Sequence, residues 1–231
     1  MNGGATMLTE LDLNYIKKSF TFWDKLSTKE KELIELNTTK VTYHKGYNLH
    51  NADSECLGVL LILSGELRIY ILSEDGREVT LYRLNAGDTC VLSASCILNS
   101  ITFDVHIDAE IDTEVYLTNI KTFSTLSNQN VYVENFAYKN TVERFSDVMW
   151  AMEQILFLSI DKRLAIFLFD EINKNNNDII TLTHEQIAKY IGSAREVVSR
   201  MLKVFQSQDI LELSRGQIHI TDKSKLRKLV Q

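Results

Sequence analysis

Residues 182–211 read LTHEQIAKYIGSAREVVSRMLKVFQSQDIL, and this stretch decides the C-terminal fold. Thr183 and Gln186 have the Thr-x-x-Gln spacing of a capping box, which opens a helix running to Tyr190. Gly192 breaks that helix. Ser193 and Glu196 repeat the box and open a second helix to about Gln208. Two helices joined by a tight glycine-containing turn form a helix-turn-helix. Behind them Ile210 to Leu213 and Gln217 to Ile220 alternate around Arg215-Gly216, which predicts a small hairpin, or wing. On the second helix Val198, Met201, Leu202 and Phe205 follow the i, i+3, i+4, i+7 rule and face the core. Arg195, Glu196, Ser199, Arg200 and Lys203 then share the opposite face. Arg can donate two bonds to guanine, Glu accepts from cytosine, and Ser serves either partner, so this face suits a major groove. The plain alternative is a solvated helix face in which Glu196 caps the helix and pairs with Arg200.

Upstream, a helix of roughly Lys162 to Asn173 contains Leu164 to Phe169, the longest uninterrupted apolar run, and ends in the asparagine-rich stretch Asn173 to Asp178. Six residues cannot span a bilayer, and MNGGATM has neither the basic start nor the apolar stretch of a signal peptide, so a cytoplasmic protein without membrane attachment is expected. Before it, Tyr138, Val142, Phe145, Met149, Met152 and Leu156 step by four and three, an a/d seam on a helix from about Asn128 to Ser159. Val148, Trp150, Ile155 and Phe157 make further faces apolar. One side is expected to meet a twin helix and another to lie on the preceding domain; a helix buried within one monomer is the alternative.

The first half reads as β structure. Gly58, Gly65, Gly76 and Gly87 punctuate VLLIL, ELRIYIL and EVTLYRL, the turn spacing of a sandwich or barrel, with Asp75-Gly76 as a hairpin turn. Strand-like runs continue through Ile101 to Ile107 and Glu114 to Ile120. The 231 residues carry a net charge of −6, yet the segment from Asp178 onward has nine Lys or Arg against six Asp or Glu. A weakly basic unit thus follows an acidic body, which permits DNA binding by the tail. Three cysteines, Cys56, Cys90 and Cys96, fit reduced thiols better than a disulfide framework. His44, His50 and Cys56 recur at six-residue steps that match no standard ligand spacing, so no metal site is expected.

The chain resembles the Crp-Fnr family of bacterial transcription regulators. The resemblance is carried by residues 182–211, by RGQIHI behind them, by DKRLAIFL (161–168) and by LLILSGELRIYILSEDGREVTLYRLNAGD (60–88). It implies an α+β protein: an N-terminal antiparallel, jelly-roll-like β-roll sensor (8–126), a dimerisation helix (127–160) and a C-terminal winged helix-turn-helix (161–231). In the family a Glu-x-x-Ser-Arg motif reads DNA, and Glu196, Ser199 and Arg200 match it; Arg195 matches the Arg that precedes that Glu in cyclic-AMP-responsive members. Thr183 and His184 fall where the family contacts phosphates, and Lys203 is a further phosphate candidate. The resemblance also implies a homodimer on double-stranded DNA, RNA polymerase as partner of an activator, and a small-molecule effector.

The sensor half departs from the cyclic-AMP pattern. After Gly87-Asp88 the chain has Val91-Leu92 in place of Gly-Glu, and Phe103-Asp104 stands where Arg-Ser holds the phosphate. Asp104 would repel a cyclic phosphate, and no Arg lies between Arg83 and Arg144. Three unclustered cysteines also argue against the four-cysteine iron-sulfur cluster of the oxygen-sensing branch. The effector is therefore open, with Cys90, Ser93, Ser95, Cys96, Phe103 and Asp104 as candidate pocket residues; buried cysteines acting as small hydrophobes are the alternative to a redox pair. A cupin-type metalloenzyme would need a His-x-His pair, which the five histidines do not supply, and no enzyme activity is expected. A ligand-binding module whose helix-turn-helix serves protein contacts is the remaining rival.

Overall fold

The structure, a computed structural model, describes residues 8–51, 57–91 and 105–230. They form two compact units, one of residues up to Ile71 with Leu81–Val148, the other of Leu72–Thr80 with Met149 onward. The first opens with α1 (Glu10–Ser19) and α2 (Thr28–Leu36), whose N-termini are closed by the capping boxes Thr9/Asp12 and Ser27/Glu30. Strands β1 (Thr38–Tyr43), β2 (Asn48–His50), β3 (Gly58–Ser64), β4 (Glu66–Leu72), β5 (Glu78–Asn85), β6 (Thr89–Cys90), β7 (His106–Ala109) and β8 (Thr113–Asn119) follow. They make two sheets, β1-β8-β3-β6 and β2-β7-β4-β5, in which the β1–β8, β3–β8, β3–β6, β2–β7 and β4–β7 pairs are antiparallel. The two sheets are what the glycine punctuation predicts, and with the helices they give the α+β architecture that the resemblance implies.

Strand β3 shows why its sequence is an unbroken apolar run. Leu60 and Ile62 join Leu67, Ile69, Leu84, Ile107 and Val115 in one core cluster. Val59 and Leu61, on the alternate face, join Phe20, Phe22, Phe123 and Phe136 in another. Both faces are covered, so alternation disappears. The β3–β4 turn needs Gly65: its φ is +97°, and a Cβ there would lie 2.6 Å from Thr113 Cα.

The region after β8 differs from expectation. A separate helix, α3 (Ile120–Gln129), precedes the long helix α4 (Val131–Phe157), which is shorter at both ends than the expected Asn128 to Ser159. Asn119 Oδ1 accepts from Lys121 N at 2.8 Å and starts α3; Asn130 Oδ1 accepts from Tyr132 N at 3.0 Å and starts α4. The asparagine caps set the start of each helix, and the boundary at Asn130 falls inside the expected Asn128-to-Ser159 helix. Val133, Phe136 and Ala137 of α4 are buried, and Val148 packs on the sheet core.

The second unit contains α5 (Ile160–Asn175), β9 (Ile179–Ile180), α6 (His184–Tyr190), α7 (Arg195–Ser207), β10 (Leu211–Ser214), β11 (Gln217–Ile220) and α8 (Lys223–Val230). The predicted wing is the β10–β11 hairpin, extended by β9 on β11. Helix α5 runs two residues beyond Asn173 before Asn176 closes it at φ +47°, a conformation asparagine tolerates. Leu164, Leu168, Ile187, Val198, Leu202, Phe205, Ile218 and Leu226 form one core. Among the described residues no helix is long and apolar enough to cross a membrane.

Candidate nucleic-acid interface

Helix α6 begins at the predicted box: Gln186 N donates to Thr183 Oγ1 at 3.1 Å, and Thr183 N donates to Gln186 Oε1 at 2.9 Å. It ends with Gly192 at φ +61° and with Ser193 N donating to Ala188 O at 2.8 Å, the outer bond of a Schellman turn. A side chain at 192 meets no close contact, so the left-handed backbone alone selects glycine.

The second capping box does not form. Ala194 is the N-cap of α7 and contributes no side-chain bond, while Ser193 Oγ is buried without a partner. Ser193 is held by its backbone in the turn that closes α6, so the next helix starts one residue later. Glu196 consequently has no capping duty.

Helix α7 buries Val198, Leu202 and Phe205, with Met201 packed beside them. Arg195, Glu196, Arg200 and Lys203 are exposed and Ser199 is half-buried. With Val204 and Ser207 they line an open groove of about 650 Å³. The side chains of Arg195, Glu196 and Arg200 make no hydrogen bond or ion pair with another described residue, so Glu196 does not pair with Arg200. At the head of α6, burial lowers the affinity of the His184 imidazole for a proton, and Arg195 and Lys203 add to that effect. His184, Arg195 and Lys203 thus form one patch of positive potential. Thr183, the N-cap beside it, is exposed.

Of the effector-pocket candidates, Cys90 is buried on β6; Ser93, Ser95, Cys96, Phe103 and Asp104 lie outside the described residues. His44 Nδ1 lies 3.6 Å from Asp112 Oδ1, His50 is buried on β2, and Cys56 again lies outside them. Sequence reasoning passed over Tyr82, Arg144 and Asp147 in the same unit. For the helix pair the one local signal was the Arg144-x-x-Asp147 spacing on α4; Tyr82 had none.

The Crp-like helix-turn-helix domain matches residues 162–229, and the cyclic nucleotide-binding domain matches residues 40–130. A solved structure of a crp/fnr family protein from Eubacterium rectale is 44% identical, with a TM-score of 0.89, over 92% of this chain and 99% of that one. The fumarate and nitrate reduction regulatory protein of Yersinia pestis is 26% identical, covering 87% of this chain and 83% of its own. The cAMP-activated global transcriptional regulator Vfr of Pseudomonas aeruginosa is 23% identical over 75% of this chain and 81% of its own. The α7 groove, the wing and the β-roll define a DNA-binding regulator with a sensor domain. The chain belongs to the Crp-Fnr family of transcription regulators.

Proposed function

We propose that the protein is a cytoplasmic homodimer whose two α7 helices read an inverted repeat under the control of a small-molecule effector. The observation that carries this reading is the α7 groove, in which reading-type side chains stand exposed and unpaired over a buried opposite face. Arg195, Glu196, Ser199 and Arg200 contact base edges; Thr183, His184 and Lys203 contact phosphates. In each half-site one G·C pair offers guanine acceptors to Arg200 and a cytosine amino group to Glu196. By family resemblance each half-site looks like TTGA or TGTGA.

The dimer forms along α4. Tyr138, Val142, Phe145, Met149, Met152 and Leu156 are all exposed, Phe145 at 62% and Leu156 at 65%, a contiguous apolar seam suited to a second copy. The protein itself has no catalytic role, and RNA polymerase is the partner if it activates. Selection of duplexes from a random library tests the reading. Enrichment of an inverted repeat with half-site centres about 34 Å apart supports it; retention of all duplexes alike, or none, favours a helix-turn-helix that serves protein contacts.

A further inference from the structure

Within the first unit two buried donor atoms, the Tyr82 hydroxyl and Arg144 Nε, have no acceptor, and they come from a strand and a helix that meet. Tyr82 on β5 is 8% exposed, and its hydroxyl makes no hydrogen bond. Arg144 on α4 is mostly buried. Its Nη1 pairs with Asp147 at 3.0 Å and its Nη2 with Glu143 at 3.7 Å, but its buried Nε–H has no acceptor. The guanidinium carbon stands 5.3 Å from the centre of the Tyr82 ring. Tyr82 belongs to the core cluster of Leu84, Cys90 and Val105, and Val148, one turn after Arg144, packs on that cluster.

A buried donor without an acceptor is unfavourable, and two of them on adjoining elements favour an acceptor supplied from outside the chain. We propose that the sensor unit binds a small organic carboxylate with an apolar body, whose oxygens accept from Arg144 Nε–H and Tyr82 O–H. The proposal rests on the reading above that this unit takes an effector. A guanidinium matches a carboxylate in charge and geometry. Burial pushes the Tyr82 phenol well above its ordinary value, so it remains an O–H donor. One negative charge suits the site better than two, because Asp147 and Glu143 already share the guanidinium and Asp88 lies near enough to act on Asp147. The apolar body follows from the Leu84, Cys90 and Val105 surroundings. The cation belongs to the helix that carries the dimer seam, so the ligand ties α4 to β5, which gives an effector a route to that seam.

Benzoate is the probe, with benzyl alcohol as its uncharged counterpart. The full-length protein is titrated with each while the Arg144 Nε–H resonance is followed by NMR, and operator binding is measured on the same samples. Saturable benzoate binding that moves this resonance is expected, with no equivalent response to benzyl alcohol. Arg144→Met and the near-isosteric Tyr82→Phe should each lower benzoate affinity about tenfold, the loss of a charge-assisted hydrogen bond. Absence of benzoate binding to the wild type, or equal affinity in a folded Tyr82→Phe protein, overturns the assignment. If the operator is still bound in that case, only the ligand assignment falls; loss of operator recognition by the wild type removes the functional reading itself.

Discussion

Glu196 and Arg200 sit one turn apart on α7 and form no ion pair, while the burial of Val198 and Leu202 behind them turns both outward. Their proposed work is on opposite strands of one base pair, so Arg200→Ala should cost about 1 to 3 kcal/mol per half-site and flatten discrimination at that pair. Competition binding with operator variants at that position measures it. Lys203→Ala should behave differently, weakening all sequences alike and making the salt slope shallower by about one unit. His184 adds a pH effect. Burial, Arg195 and Lys203 lower its proton affinity in the free protein, whereas nearby phosphates would raise it in the complex. Binding then takes up a proton between the two pKa values: affinity should rise as pH falls through the bound-state value and level off below the free-state one. Affinity measured against pH should lose this component in His184→Gln; an unchanged profile would place His184 away from the phosphates.

At the scale of elements, α4 presents an apolar seam outward while Val133, Phe136 and Ala137 face inward. Phe145→Glu would set like charges face to face across a dyad, and sedimentation at micromolar concentration should show the wild type as a dimer and this variant as a monomer. A monomeric wild type would overturn the α4 dimer. Leu202→Ala, which empties part of the α7 core, should lower stability by about 2 to 5 kcal/mol, read as a fall in the denaturant midpoint of the second unit. Signals contained within a few residues were legible in the sequence: the Thr183/Gln186 box, the β10–β11 wing and the apolar face of α7. Signals that depend on a neighbouring element were misread. Ser193 has the residue type of a cap, but the closing turn of α6 holds it. Helix α3 was missed because IKTFSTLSNQ is rich in Thr, Ser and Asn, and its buried Phe123 and Leu126 gain their helical context from packing on the aromatic cluster. Tyr82 and Arg144 were not legible together, since nothing local links a strand tyrosine to a helix arginine.

At the scale of the whole molecule, a sensor of cyclic nucleotide-binding type is joined to a winged helix-turn-helix, yet the sequence lacks the Gly-Glu and Arg-Ser pairs that hold cyclic AMP in the family. Several charge-assisted hydrogen bonds of roughly 1.5 to 3 kcal/mol each are thereby lost, so calorimetric titration should detect no micromolar binding of cyclic AMP. Such binding would show that other residues have replaced those pairs. In the proposed function α7 reads sequence through Glu196 and Arg200 of a symmetric dimer. Duplex selection from one random library by the wild type, Glu196→Gln and Arg200→Ala tests it most directly. A sharp inverted repeat is expected for the wild type, with loss of preference at one symmetry-related G·C pair in both variants. Identical motifs of identical sharpness from all three proteins would contradict it.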